Sequence, residues 1–465
     1  MSQSVLNTIT AARQQSLQRQ LEQLDIAALT AHLPPSVRSL ADALRQPYAS
    51  FILECKQASP SHGVLRQHWD PRQLALAYSP YAAAISVLTE PDYFHGDFRD
   101  LAVVANSVSQ PVLCKDFIVQ PEHVLLARYF GADAILLMLA VLTDAEYLAL
   151  VAVAERYQLD VLTEISTPAE LARAIRLNAN IIGINNRNLH DLSIDCERTL
   201  TMAPEIPPQT LVVAASGYHK HAQIRAAAPA VDGFLIGSSL TAKANVDQAC
   251  RELIYGHHKI CGLTEVKDAQ VARAAGAAYG GLIFVPHSPR CLTLEQAQQV
   301  TKGAPELSYV GVFANQPLDL ISHYANTLQL TAIQLHGQED EAFVQALTTR
   351  VPHTQIWRAM AVTGPITLPT TGASRLILDS PGGGSGQPFA WHHLTQLPSA
   401  QRQQLMLAGG LAASNLAAAQ QTGIQQFDLN SGVETAPGRK DAGQINRVFQ
   451  HLRSYGRIPM PPIEE

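Results

Sequence analysis

Glu54 and Lys56 stand two residues apart at the end of the apolar run FILEC (51–55). In an extended segment, that spacing puts both side chains on one face. Other apolar runs also end in polar residues: Lys115 after PVLC (111–114), Glu164 in DVLTE (160–164), Asn185 in IIGIN (181–185), and Arg187 just beyond. Taken singly, each is a solvated loop charge or a structural ion pair. Two lysines and two glutamates at one end of one sheet form a set for general acid–base work. Close cations lower a lysine pKa, and a partly desolvated carboxyl rises toward a working acid or base. The second half offers Cys261, Arg290, His336, Asp379 and Asp428. A buried cysteine is ordinarily an inert small hydrophobe, but Cys261 sits at a run's end beside Gly262. A thiol there, opposite the Asp379 carboxyl, supplies a base and an acid on two sides of a sugar. Arg290 either grips a carboxylate bidentately or covers surface. His336 is either a hydrogen-bonded structural residue or part of the site.

These residues need a scaffold that gathers strand ends. The first half reads as strands at 51–55, 83–88, 111–114, 134–138, 160–164, 181–185, 211–215 and 233–237, separated by helical stretches such as PAELARAIRL (168–177). The second reads as strands at 259–262, 281–285, 309–313, 332–336, 356–360, 375–379, 405–409 and 427–430. Near-continuous apolar runs are those of parallel strands buried on both faces. Two sets of eight predict an α/β chain of two tandem (β/α)₈ TIM barrels, whose active sites lie at the strands' C-terminal ends. A doubly wound sheet is the rival. It has fewer strands and a Gly-rich first turn, which neither half has. The boundary is placed near Tyr255–His258, giving domains 1–256 and 257–465.

Both halves repeat one further signature. Ser216-Gly217 and Gly409-Gly410 follow the seventh run, and Gly237-Ser238 and Ser431-Gly432 end the eighth. Loops at those places form the common phosphate site of such barrels, where small residues let backbone N–H groups approach the oxygens. Any one pair alone is a plain turn. The loop DSPGGGSGQPF (379–389) lacks the Gly-Lys-Ser/Thr ending of a nucleotide loop and reads as a flexible lid.

Composition bounds the rest. The chain of 465 residues is 47% hydrophobic and 15% charged, which suits large cores. A net charge of −6 gives no global field for nucleic acid or an anionic membrane. No apolar stretch has membrane-span length and the N-terminus carries no signal-peptide run, so a cytosolic protein is expected. Six scattered Cys without a CxxC pair argue against a disulfide framework or a zinc site.

The first half resembles indole-3-glycerol phosphate synthase, on ILECKQASPS (52–61), AISVLTEPDYFHGDF (84–98), VLCKDFIVQP (112–121), VLTEIS (161–166), GINNRNL (183–189) and FLIGSSL (234–240). The second resembles phosphoribosylanthranilate isomerase, on KICGLT (259–264), GGLIFVPHSPR (280–290), YVGVFAN (309–315), QLHG (334–337), LILDSPGGGSGQPFAW (377–391), LAGGL (407–411) and FDLNSGVE (427–434). Together they cover about the whole chain.

The resemblance implies two successive steps of tryptophan biosynthesis. The isomerase performs an Amadori rearrangement of N-(5′-phosphoribosyl)anthranilate to 1-(2-carboxyphenylamino)-1-deoxyribulose 5-phosphate. It implies Cys261 as base at C2′, with a depressed pKa, Asp379 as acid on the ring oxygen, and Arg290 as carboxylate clamp. Gly410, Ser431 and Gly432 would hold the phosphate, with Gly409, His336 and Asp428 nearby. The synthase then closes the indole ring with loss of CO₂ and water. By resemblance, Lys115 protonates the ketone oxygen, Lys56 binds the carboxylate and Glu164 handles later proton removal. Asn185 positions the polar network, and Glu54 and Arg187 are further members. Ser216, Gly217, Gly237 and Ser238 match the phosphate cradle. No metal or organic cofactor is implied, and an internal fusion points to a monomer.

One departure stands out. The family usually carries Glu-Ser-Gly after strand seven, whereas this chain has Ala215-Ser216-Gly217, with Tyr218 where an aliphatic residue is usual. Two alternatives stay open: a sugar-phosphate aldolase using Lys115 as a Schiff base, and a first barrel reduced to a binding module.

Overall fold

The computed structural model describes residues 5–188, 191–381 and 388–457. It divides into two compact units: Met1–Cys250 with Ser454–Glu465, and Arg251–Arg453. The division falls inside the helix Val246–Ile254.

In the first unit, eight parallel strands close into a barrel: β1 (Ser50–Cys55), β2 (Ala84–Leu88), β3 (Val112–Lys115), β4 (Ala134–Met138), β5 (Asp160–Ile165), β6 (Ile181–Asn185), β7 (Leu211–Ala215) and β8 (Gly233–Ile236). Each strand pairs with its sequence neighbours, and β1 closes on β8 through Ser50–Gly233 to Leu53–Ile236. The barrel is filled by Ile52, Leu113, Leu136, Val213 and Leu235 among others. Its outside is covered by helices, which is why the strands read as continuous apolar runs. The helix expected at 168–177 forms as Pro168–Arg176, with proline in its first turn and Thr167 capping the N–H of Glu170. Ile52 faces inward, so alternation carries Glu54 to the barrel's C-terminal mouth.

Two features of this unit had no sequence signal. A helix, α1 (Val5–Leu21), precedes the barrel. Residues from the far end of the chain also complete the unit: Ala49 N donates to Tyr455 O (2.7 Å), and Arg457 donates to Thr210 O and Asp232.

The second unit holds β9 (Lys259–Ile260), β10 (Tyr279–Ile283), β11 (Ser308–Phe313), β12 (Ala332–Leu335), β13 (Gln355–Ala361), β14 (Arg375–Asp379), β15 (Leu405–Leu407) and β16 (Asp428–Leu429). The sheet runs β15-β14-β13-β12-β11-β10-β9-β16, and the parallel bridge Leu407–Phe427 crosses the remaining seam. Tyr279, Val310, Ala332, Trp357, Ile377 and Met406 fill the lower interior. The strand read at 281–285 is displaced, because it starts at Tyr279 and ends at Ile283. Gly280-Gly281 looks like a turn in sequence. Both are buried strand positions, and a Cβ on Gly280 would lie 2.7 Å from Leu263 and Leu307. Among the described residues, no helix is long and apolar enough to cross a membrane.

Candidate active sites

The ten site residues read from the first half, Glu54, Lys56, Lys115, Glu164, Asn185, Arg187, Ser216, Gly217, Gly237 and Ser238, all line one cavity of about 400 Å³ at the C-terminal mouth of the barrel, and Ala215 at the departed position lines it too. Glu54 Oε1 lies 2.6 Å from Lys56 Nζ, and its Oε2 lies 3.6 Å from Lys115 Nζ. Asn185 Nδ2 donates to Glu164 Oε1 at 3.0 Å, and Asn185 Oδ1 accepts from the backbone N–H of Arg187. Gly237 is required here, since a Cβ would fall 2.1 Å from Glu54 Oε1 and 3.0 Å from Lys56 Nζ.

The environment pushes the two carboxyls apart. Burial works to raise both. For Glu54, Lys56 and Lys115 more than cancel that, and its pKa falls below the usual range. For Glu164, burial prevails over Lys115 and Asn185, and its pKa rises. One is held as an anion and the other keeps its proton to higher pH than an ordinary carboxyl. The lysine differs from the sequence expectation. Burial lowers the Lys115 ammonium, but Glu54 and Glu164 outweigh it and Arg187, so its pKa rises. Carboxylates surround it where cations were expected, which keeps it a protonated donor.

Beneath Lys115, the next residue anchors the loop. Asp116 accepts both a 2.8 Å bond from Arg13 Nε and a 2.8 Å bond from Arg13 Nη2, a 2.5 Å bond from Thr89, and faces His123 Nε2 at 3.1 Å. Arg13 lies on α1 and is fully buried, and Val5, Leu6 and Ile9 of the same helix line the cavity. Sequence reading missed this. The chemistry of Arg13 becomes visible only when α1 is seen to pack there.

Ser216 (φ +68°) and Gly217 (φ +89°) follow β7 in left-handed backbone, and Asn186 Nδ2 holds the Ser216 carbonyl at 3.2 Å. Ser239 Oγ donates to Tyr218 O, tying this loop to the helix Ser238–Thr241. The second unit repeats the arrangement. Gly409 (φ +86°) and Gly410 (φ +61°) follow β15, and Gly432, in the short turn Ser431–Val433, packs under the Leu411 carbonyl with no room for a Cβ.

Around that cradle lie the second set of residues. Cys261 follows β9 and is buried. Asp379 ends β14, with Oδ2 3.4 Å from His336 Nε2 and Oδ1 accepting from the Ser380 N–H. Asp428 Oδ2 lies 2.6 Å from Lys259 Nζ, an ion pair inside the barrel. Arg290 is gripped by Glu434, through Nε at 2.9 Å and Nη2 at 2.6 Å, and Lys440 Nζ adds a 2.7 Å contact to the same carboxylate. Lys259, Glu434 and Lys440 were missed. Glu434 lies 144 residues from Arg290, and nothing local announces the pair. Burial raises the Cys261 thiol, and Lys259 and Lys440 pull against it without overcoming burial and Asp428. The implied depressed pKa is therefore not that of the ligand-free site. Six residues of the loop read as a lid, 382–387, lie outside the described residues.

The fold and these sites define a pair of (β/α)₈-barrel enzymes, each with acid–base groups beside a small-residue cradle after its seventh and eighth strands. Residues 6–253 match the family model of indole-3-glycerol phosphate synthase, and residues 258–451 match that of N-(5′-phosphoribosyl)anthranilate isomerase. The tryptophan biosynthesis protein TrpCF of Salmonella typhi is 47% identical over 457 residues, covering 97% of this chain and 100% of that protein. The Vibrio cholerae protein of the same name is 46% identical over 458 residues, covering 97% and 96%. A crystal structure of phosphoribosylanthranilate isomerase from Thermus thermophilus is 32% identical, covers 43% of this chain and 98% of its own, and gives a TM-score of 0.40. The chain belongs to the bifunctional TrpCF family of tryptophan biosynthesis, with an N-terminal indole-3-glycerol phosphate synthase domain and a C-terminal phosphoribosylanthranilate isomerase domain.

Proposed function

We propose that Lys115 is the general acid of ring closure, with Glu54 as its fixed counter-anion and Glu164 as the group that exchanges protons. The carrying observation is the cluster itself, with Lys115 Nζ 3.6 Å from Glu54 Oε2, Glu54 Oε1 2.6 Å from Lys56 Nζ and Glu164 held at 3.0 Å by Asn185 Nδ2, and the opposite displacement of the two carboxyls agrees with it. Lys115 protonates the ketone oxygen, making its carbon electrophilic toward the anthranilate ring. Lys56 binds the substrate carboxylate. Glu164, held by Asn185, removes the later proton, and Arg187 lines the same cavity. Ser216, Gly217, Gly237 and Ser238 cradle the phosphate.

In the second barrel, Cys261 takes the proton from C2′ and Asp379, beside His336, protonates the ring oxygen. Arg290 receives the anthranilate carboxylate, and Gly409, Gly410, Ser431 and Gly432 hold the phosphate. Glu434 takes Arg290 Nε and Nη2, which fixes the guanidinium in place, so the clamp reading requires the substrate carboxylate to use Nη1 or displace Glu434. Asp428 is engaged by Lys259, and its buried Oδ1 has no hydrogen-bond partner among the described residues.

The functional boundary falls near residue 256, between the two matched family spans. Residues Ser454–Arg457 pack on the first unit, so tests belong on the full chain. The fusion of both domains in one chain supports a monomer, and relatives that carry a biosynthetic name suit a cytosolic enzyme.

Borohydride added during ring closure tests the first assignment. Clean conversion to indole-3-glycerol phosphate, with Lys115 unmodified by mass spectrometry, is expected. A reduced substrate adduct on Lys115 would instead establish imine chemistry of the aldolase kind.

A further inference from the structure

The interior of a (β/α)₈ barrel is a packed layer of apolar side chains, yet Lys259 stands in the second barrel with no solvent exposure. It pairs in register with Asp428 across β9 and β16 and with Tyr279 across β9 and β10. Its Nζ lies 2.6 Å from Asp428 Oδ2. Cys261 is two residues further along and shares its face. Gly281 leaves the space between them open, as a Cβ there would lie 2.7 Å from Cys261 Sγ and 2.9 Å from Lys259 Cε. The ammonium therefore rises through a gap under the thiol. As a pure stability device, this pair is poor value, because apolar residues of equal volume commonly do as well or better than a buried ion pair.

The charges around the thiol have a simple sum. Lys259, Lys440 and Arg290 are cations, and Asp428 and Glu434 are anions, joined by contacts of 2.6, 2.7 and 2.6 Å. Three cations face two carboxylates, and a Cys261 thiolate makes the cluster neutral. Asp379 and His336 also lie within electrostatic reach of Asp428.

We propose that Lys259, held in place by Asp428, is the positioning residue that supplies Cys261 with the positive charge its thiolate needs. Burial raises the thiol and Lys259 is the largest force opposing that rise, while Asp428 acts the other way. The proposal rests on Cys261 being the base. Lys259 limits the rise of the thiol without reversing it.

The test is the pH dependence of Cys261 alkylation by iodoacetamide in the full-length, ligand-free enzyme, read by mass spectrometry on the Cys261 peptide, with exposed Cys291 as internal reference. Lys259→Met should move the Cys261 midpoint to higher pH by about one unit or more, a tenfold loss of thiolate at a given pH. Isomerase kcat should fall about tenfold near neutrality with KM little changed, and recover toward alkaline pH. Asp428→Asn should move the midpoint the opposite way, to lower pH. A purely structural pair would disturb both variants in the same sense. Unchanged midpoints, or shifts of one sign in both, overturn the proposal. If Lys259→Met does not fold, Asp428→Asn decides alone: an acid shift supports the proposal, and no shift or an alkaline one refutes it. Full isomerase activity in Cys261→Ala would sink the base assignment itself, a separate outcome from the alkylation profiles.

Discussion

The two barrels solve one problem in opposite ways. In the first, Lys115, the proposed proton donor, lines the cavity with Glu54 3.6 Å away, and carboxylates keep it charged. In the second, Cys261, the proposed proton acceptor, is buried, and cations beneath and beside it oppose the cost of making it an anion. An ammonium needs only company to stay charged, and a solvated mouth provides it. A buried thiolate needs charges built into the barrel itself, which fits Lys259 where the first barrel carries apolar side chains such as Ile52 and Leu113.

Removing the acid should do the most damage. Asp379→Asn keeps the shape of the site but has no proton to give, and is expected to lower isomerase kcat about 10³-fold. A loss under tenfold would move the acid elsewhere. Next comes the buried anchor under Lys115. Arg13→Met strands Asp116 in the interior and should cost the synthase unit about 3–5 kcal/mol, read by urea unfolding monitored in the first barrel. Asp116 and His123 both have folded pKa values below their unfolded ones. For either group, the stability is present above the unfolded pKa and is lost as pH falls through the folded one. The synthase unit should therefore begin to lose stability below about pH 6.5, when unfolded His123 takes a proton, and again below about pH 4 as Asp116 does.

Glu164→Gln should lower ring-closure kcat about 10²-fold. It should also remove the acid limb of the synthase pH profile, which belongs to a carboxyl raised above its usual value. An acid limb that persists unchanged would assign it to another group. The smallest effect is expected at the departed position. Ala215 pairs with Asn185, the partner of Glu164. Ala215→Glu adds an anion there and should push Glu164 higher, moving the acid limb upward with a change in kcat of less than about tenfold. A downward move would contradict the electrostatic account of this cavity.

The residues that could be read from sequence were those that break a pattern. Glu54, Lys115, Glu164, Asn185 and Asp379 each interrupt an apolar run at its end, and in a parallel barrel the end of a run is the active face. The paired small residues after strands seven and eight were legible for the same reason, and the structure gives both pairs after the seventh strand left-handed backbone. Lys259 escaped because it opens the run KICG and reads as a flanking charge, although β9 places it inside the barrel. Arg13 escaped because its partner lies 103 residues away and nothing in the polar N-terminal stretch marks a buried face. The direction of the Lys115 shift was misread because sequence gives the company of a residue but not which neighbour is nearest. Here that neighbour is Glu54, and the cation Arg187 has the weaker hold.

The central claim is that each barrel runs its own acid–base pair independently. Its most direct test assays both half-reactions on the same full-length preparations of Lys115→Ala and Cys261→Ala. Lys115→Ala should abolish ring closure and leave isomerisation at the wild-type rate, and Cys261→Ala should do the reverse. Loss of both activities in either variant, with the fold intact by circular dichroism, would contradict the account.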